Sequence, residues 1–244
     1  MKAIKAFLMC FSMFCAIPCP IRFCDNSLRP MMTAMLPAVG LVIGAIWSLA
    51  AFLCGYFAIP AMLAAALLTV LPWLLSGFMH LDGYMDSCDA ILSRRDLEER
   101  RRILKDPLTG SFAVICLVIL ALVSFAAFAE ADLYYFWALM PVPVVTRGLS
   151  AIAVQKLKPM GHSQYAAAEH PAYASVLPAL WVILAFGFSL FIGNGAWLCT
   201  FAAAIGWCAA CYNGYKQLDG MSGDISGYAI TVGEACAAVA FCLI

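Results

Sequence analysis

Charge is what this chain has least of. Only 11% of its 244 residues are Asp, Glu, Lys or Arg, against about a quarter in ordinary soluble domains. With a mean hydropathy of +0.93, that scarcity excludes a soluble globular protein and points to an all-α polytopic integral membrane protein. Polar linkers are missing too: the connections between apolar runs are short, so residues 1–244 read as a single membrane-embedded domain. There is no internal repeat, low-complexity tract or coiled-coil heptad, and no visible inverted repeat of the kind that marks many transporters. Positive and negative charges balance at 14 each, so net charge suggests no acidic or basic partner, and no nucleic acid is expected.

Cysteine is abundant, but what would make it informative is absent. Cys54, Cys116, Cys199, Cys208, Cys236 and Cys242 lie within apolar runs, where cysteine behaves as a small hydrophobe. Cys208 and Cys211 form a C-x-x-C, yet no second Cys or His pair accompanies it, so neither a zinc nor a dithiol centre is indicated.

Long apolar runs are what the chain does have. A spanning helix needs roughly 20 mostly apolar residues, and seven stretches approach that: 34–54, 57–79, 111–129, 133–153, 174–192, 196–213 and a shorter 228–244. Pro60, Pro72, Pro141, Pro143 and Pro178 are candidate kinks. The opening "MKAIKAFLMCFSMFCAIPCP" resembles a signal peptide, but Pro18 and Pro20 stop it short of a span, so an uncleaved interfacial or re-entrant segment is expected. Seven spans place Arg22, Arg29, the 81–110 loop, Lys156, Lys158, His162 and Lys216 on one side. Gly55, Glu130, Asp132 and "GNG" at 193–195 fall on the other. The positive-inside rule puts the basic side, and with it any chemistry, in the cytoplasm.

The charge is concentrated. Thirteen of the 28 charged residues fall between Leu81 and Gly110. Read alone, "RRDLEERRRILKD" is a solvated helix face with mutual salt bridges. Asp82, Asp86 and Asp89 differ: at i, i+4 and i+7 they share one helical stripe beside a span, with no basic residue inside the stripe. Carboxylates so placed repel unless a divalent cation sits among them, and hard oxygen ligands suit Mg²⁺. A second polar run, "KQLDGMSGDISGYAITVGE" at 216–234, supplies Asp219, Asp224 and Glu234 with glycines at 220, 223 and 227. Asp224 is expected to complete the metal set from another helix. The three glycines are expected to border a wide groove between spans. His80 reads as a general base, a phosphate contact or a hydrogen-bonded interfacial residue. Carboxylates for metal beside Arg and Lys for phosphate suit displacement at phosphorus on a diphosphate substrate.

At these residues the sequence resembles the cobalamin synthase family, the adenosylcobinamide-GDP ribazoletransferases. "HLDGYMDSCDA" at 80–90, "ERRRILKDPLTGSF" at 99–112 and "LDGMSGDISGYAITVGE" at 218–234 carry the likeness, with weaker echoes at 17–20, 37–45 and 146–162. The resemblance implies transfer of the phospho-cobinamide group of adenosylcobinamide-GDP to alpha-ribazole or its 5′-phosphate, with release of GMP and a requirement for Mg²⁺. It implies metal ligation by Asp82, Asp86 and Asp224, with Asp89 a fourth ligand or the base. Catalytic candidates are thus Asp82, Asp89 and His80. Substrate-binding candidates are Arg101, Arg102 and Lys105 for the diphosphate, with Asp106, Arg147, Gly220, Ser222 and Gly223. The implied setting is the cytoplasmic (inner) membrane, and a homo-oligomer is left open. Three positions depart from the family pattern: Ala90 stands for Gly, Leu108 for a basic residue and Ser222 for Thr. A CDP-alcohol phosphotransferase is the alternative enzyme, but its D-G-x-x-A-R pattern is not met after Asp82. A transporter is the alternative of another class, and Glu234 is the one carboxylate that would suit it.

Overall fold

A computed structural model describes residues 2–19, 25–161 and 171–244; Arg22 and His162, placed above with the basic loops, lie outside the described residues. The chain is helical. Amphipathic α1, Lys2–Phe14, is followed by a 3₁₀ turn at Asn26–Leu28, the short α2 at Arg29–Ala34, and α3 at Leu36–Tyr56. Then come α4, Ala61–Leu75; α5, Met79–Leu92; α6, Leu97–Ile103; and α7, Ser111–Glu130. A 3₁₀ stretch at Leu133–Leu139 leads into α8, Val142–Lys156, and the chain closes with α9, Ala172–Ile192, α10, Ala196–Leu218, and α11, Gly223–Phe241.

All seven apolar runs fall on helix, but not each as a straight span. Among the described residues five helices are long and apolar enough to cross a membrane, or six if α4 and α5 count as one span broken by 93°. The run expected over 57–79 is shortened to α4, and the chain bends at 76–78 into α5. Pro72 sits within α4 and removes a backbone donor, and Gly77 and Phe78 both take left-handed φ values of +61°, which no helix continues through. Pro60 precedes α4, and Pro141 and Pro143 lie at the start of α8, so these prolines open helices; only Pro72 and Pro178 fall inside one. The run at 228–244, expected as a seventh span, belongs to the longer α11, which carries Asp224 and Glu234 and is not among the helices apolar enough to cross a membrane.

Helix α1 has 13 residues, too short for a bilayer core. It buries Ala6, Met9 and Cys10, the last two in one cluster with Met32, Leu36, Val39 and Ile43 of α2 and α3, as an interfacial or re-entrant segment would. Burial separates helices that face protein from those that face lipid. The span over Leu133–Lys156 is 78% buried and Ala172–Ile192 only 22%.

Loops segregate to the two ends. At one end Arg101 of α6 donates from Nε to the Leu218 carbonyl at 3.0 Å and from Nη2 to the Asp219 carbonyl at 2.9 Å. Lys158 reaches the Asp219 carboxylate at 3.2 Å, and an isolated β-bridge joins Pro159 to Met221. The segments at 93–110, 157–161 and 218–222 are thereby tied together. At the other end Gly55 abuts Leu133, and Tyr56, Phe57, Tyr134, Trp137 and Phe191 are exposed, a belt of the kind that seats aromatics at a membrane interface.

Candidate active site

Helix α5 is the carrier of the site. It packs against α11 at two close backbone approaches. A Cβ on Gly83 would stand 2.9 Å from Asp224 Cα, and one on Gly227 would stand 2.8 Å from the His80 carbonyl oxygen. Thr231 of α11 donates to the same carbonyl at 3.1 Å. Glycine at these points brings Asp224 alongside the α5 stripe.

The stripe forms as the spacing predicts. Asp86 lies within electrostatic range of Asp82, Asp224 and Asp89, and Asp224 in turn of Asp82. Among the described residues none of these four carboxylates forms an ion pair with Lys, Arg or His. Nor do any three His, Cys, Asp or Glu side chains stand close enough together to hold one ion. The donor set, four unpaired carboxylates from two helices, has the chemistry that suits a hard divalent cation.

A cavity of about 320 Å³ opens beside it, lined by His80, Asp82, Gly223, Asp224 and Arg29 among others. His80 is buried, its ring lies 6.2 Å from that of Phe14 in α1, and its Nε2 has no hydrogen-bond partner among the described residues. Ser222 caps α11, accepting from Ile225 N at 3.3 Å, and donates to Asp224 Oδ2 at 3.4 Å. Its hydroxyl holds the metal-candidate carboxylate in place. Asp89 sits further along α5 and does not line the cavity; a Cβ on Gly110, at the start of α7, would fall 1.8 Å from its Oδ2.

The remaining predicted residues are dispersed. Arg101 uses its guanidinium on the α10–α11 turn. Arg102 forms a two-pronged pair with Glu99, at 2.8 and 2.6 Å, and these hydrogen bonds hold the Glu99 carboxyl below its ordinary range. That pair is what the solvated-face reading of the charge run expects. Lys105 is exposed, and Asp106 accepts from Leu108 N at 3.0 Å, holding the turn before α7. Leu108 itself is 79% exposed. Arg147 is fully buried and paired with Glu234 at 2.5 Å, so it faces the bundle interior and does not line the cavity. This pairing also gives Glu234 a structural partner.

The groove expected at three glycines is corrected at two of them. Gly220 is packed on the Met160 backbone, and Gly227 on α5; only Gly223 is open, and it lines the cavity. Sequence reasoning also passed over Arg29, Gly83 and Gly110 as site residues. The two glycines had a signal in their places beside Asp82 and at the end of "DPLTG"; Arg29 had none beyond its sign.

Comparison with known proteins bears on the same residues. A family model described as cobalamin-5-phosphate synthase matches residues 6–242. The chain belongs to the cobalamin-5-phosphate synthase family. Among relatives, an adenosylcobinamide-GDP ribazoletransferase of Clostridium botulinum is 36% identical over 98% of this chain and 97% of its own. One from Clostridium perfringens is 33% identical over 94% of each, and one from Halalkalibacterium halodurans 34% identical over 81% of this chain and 79% of its own. No solved structure matches. Membership over nearly the whole chain leaves neither the CDP-alcohol phosphotransferase nor the transporter with an observation in its favour.

Proposed function

We propose that this chain is an adenosylcobinamide-GDP ribazoletransferase that performs its chemistry where α5 meets α11. The observation that carries the reading is the set of unpaired carboxylates, Asp82, Asp86 and Asp224 with Asp89 beyond them, drawn from both helices of the family motifs.

In the reaction a ribose hydroxyl of the acceptor forms a new O–P bond to the phosphorus attached to the cobinamide arm. The bond between that phosphorus and the bridging oxygen of the P–O–P linkage breaks, and GMP leaves with the bridging oxygen. Asp82, Asp86 and Asp224 would hold Mg²⁺, with Asp89 the outermost carboxylate of the set. When bound, Mg²⁺ supplies positive charge against the diphosphate oxygens. His80 Nε2, buried without a partner at the cavity wall, is placed to take the hydroxyl proton. Ser222 orients Asp224, and Gly83 and Gly227 fix the distance between the two helices. Lys105, exposed on the same loop system, offers a cation to the departing nucleotide.

The multi-pass chain is proposed to lie in the cytoplasmic membrane, with the end carrying 93–110, 157–161 and 218–222 toward the cytoplasm. Its support is the distribution of Arg and Lys. The test is turnover in membranes supplied with adenosylcobinamide-GDP, alpha-ribazole 5′-phosphate and Mg²⁺, following the cobalamin product and GMP. Asp82→Asn is expected to lose more than about 100-fold, at or beyond the loss typical of residues that only support a metal ligand, and chelation is expected to abolish turnover reversibly. Full activity in chelator or in the variant would sink the assignment.

A further inference from the structure

The cavity beside the carboxylates is lined by charged groups of both signs together with polar and apolar side chains. Asp82 and Asp224 line it, and so does Arg29. Among the described residues Arg29 has no ion-pair partner, and neither carboxylate has one. Charges of both signs therefore border one cavity without forming an ion pair with each other. Part of the wall is soft and apolar: Met9, Met13 and Phe14 of α1, Met32 of α2 and Met79 of α5. Methionine is adaptable and packs favourably against aromatic rings.

Size decides which substrate this space takes. About 320 Å³ is near the lower end of the roughly 300–1,000 Å³ of ligand pockets; it fits one nucleoside and cannot enclose a corrinoid that also carries a nucleotide. The acceptor matches this lining: an aromatic base for the methionines, a hydroxyl for His80 and Asp82, and a phosphate for the Arg29 guanidinium. Arginine is suited to that phosphate because its planar fork donates two parallel hydrogen bonds.

We propose that the cavity under α1 and α2 is the acceptor subsite, and that Arg29 binds the acceptor's 5′-phosphate. Arg29 thereby sets the preference between phosphorylated and free alpha-ribazole. The inference rests on the ribazoletransferase reading, and it adds a function for the N-terminal segment: α1 forms one side of the acceptor chamber.

The test uses the full-length protein in nanodiscs. KM and kcat are measured for alpha-ribazole 5′-phosphate and for alpha-ribazole, in the wild type, Arg29→Gln, Arg29→Lys and Met13→Trp. Loss of one charge-assisted contact should raise KM for the phosphorylated acceptor roughly 10- to 100-fold in Arg29→Gln. With free alpha-ribazole the same variant should change by less than about twofold, and Arg29→Lys should recover part of the loss. Met13→Trp fills the apolar wall and should weaken both acceptors alike. Equal effects of Arg29→Gln on the two acceptors, or no effect on either, would overturn the proposal, as would unchanged kinetics in Met13→Trp. Direct binding of alpha-ribazole 5′-phosphate, measured by calorimetry without the donor, separates the two readings. Arg29-dependent binding without turnover would keep the subsite and reject the transfer reaction, whereas turnover with binding indifferent to Arg29 would do the reverse.

Discussion

Helix α11 carries two carboxylates that the fold treats in opposite ways. Glu234, near the centre of the bundle and 5% exposed, is met by Arg147, which is itself fully buried. Asp224, nearer the helix start, has a hydroxyl from Ser222 but no cation, and the charges near it are the negative ones of Asp82 and Asp86. Removing a charge from water costs several kcal/mol unless it is paired, and the protein answers that cost from within at Glu234. At Asp224 and its neighbours it leaves the answer to something from outside. Pairing therefore distinguishes a carboxylate that holds the bundle together from one kept available for chemistry, although both sit on one helix.

That contrast can be broken from either side. The largest effect on folding is expected from Glu234→Gln, which strands the Arg147 charge in the interior and should cost about 3–5 kcal/mol, read as a lower unfolding midpoint in detergent. The paired replacement Glu234→Leu with Arg147→Met should recover most of it; equal damage from the pair would mean that Arg147 has work beyond its partner. Asp224→Asn should do the opposite, losing turnover by about 100-fold, or about 2.7 kcal/mol of transition-state stabilisation, while its midpoint stays level or rises as repulsion is relieved. A midpoint that falls as far as in Glu234→Gln would remove the distinction. Gly227→Ala sharpens the comparison, because it pushes α11 off the His80 carbonyl. A stability loss of about 1–3 kcal/mol should come with reduced turnover, since the helices that share the carboxylates are moved apart. Smallest of all is Arg102→Gln: the exposed pair with Glu99 should leave the midpoint unmoved, and any change should appear only in the KM for the diphosphate donor.

What the sequence made legible follows from how strongly each feature is written in residue type. Apolar runs had to become buried or lipid-facing helix, and Asp82, Asp86 and Asp89 at helical spacing had to share a stripe. The break after Leu75 was half-legible: Pro72 signals it, but the left-handed turn at Gly77 and Phe78 depends on where α5 docks. Gly220 and Gly227 were misread because a glycine that admits a ligand and one that admits a neighbouring helix look alike until the neighbour is known. Arg101 and Arg147 show the same ambiguity for cations. A guanidinium suited to phosphate is equally suited to two carbonyls, as at Leu218 and Asp219, or to a buried glutamate. Arg29 went unrecognised as a site residue because its cavity is closed by α1, a contact between segments that no local pattern encodes.

The hydrogen bond from Thr231 to the His80 carbonyl joins residues 151 positions apart, and Arg101 reaches 117 positions forward to Leu218. During synthesis, then, α5 and α6 are made long before the helices that complete their contacts. The early aspartates must wait, mutually repelling and without Asp224, until α10 and α11 arrive. Activity should therefore appear abruptly as the final helix is inserted, and a chain arrested before α11 should be an empty frame rather than a partial enzyme.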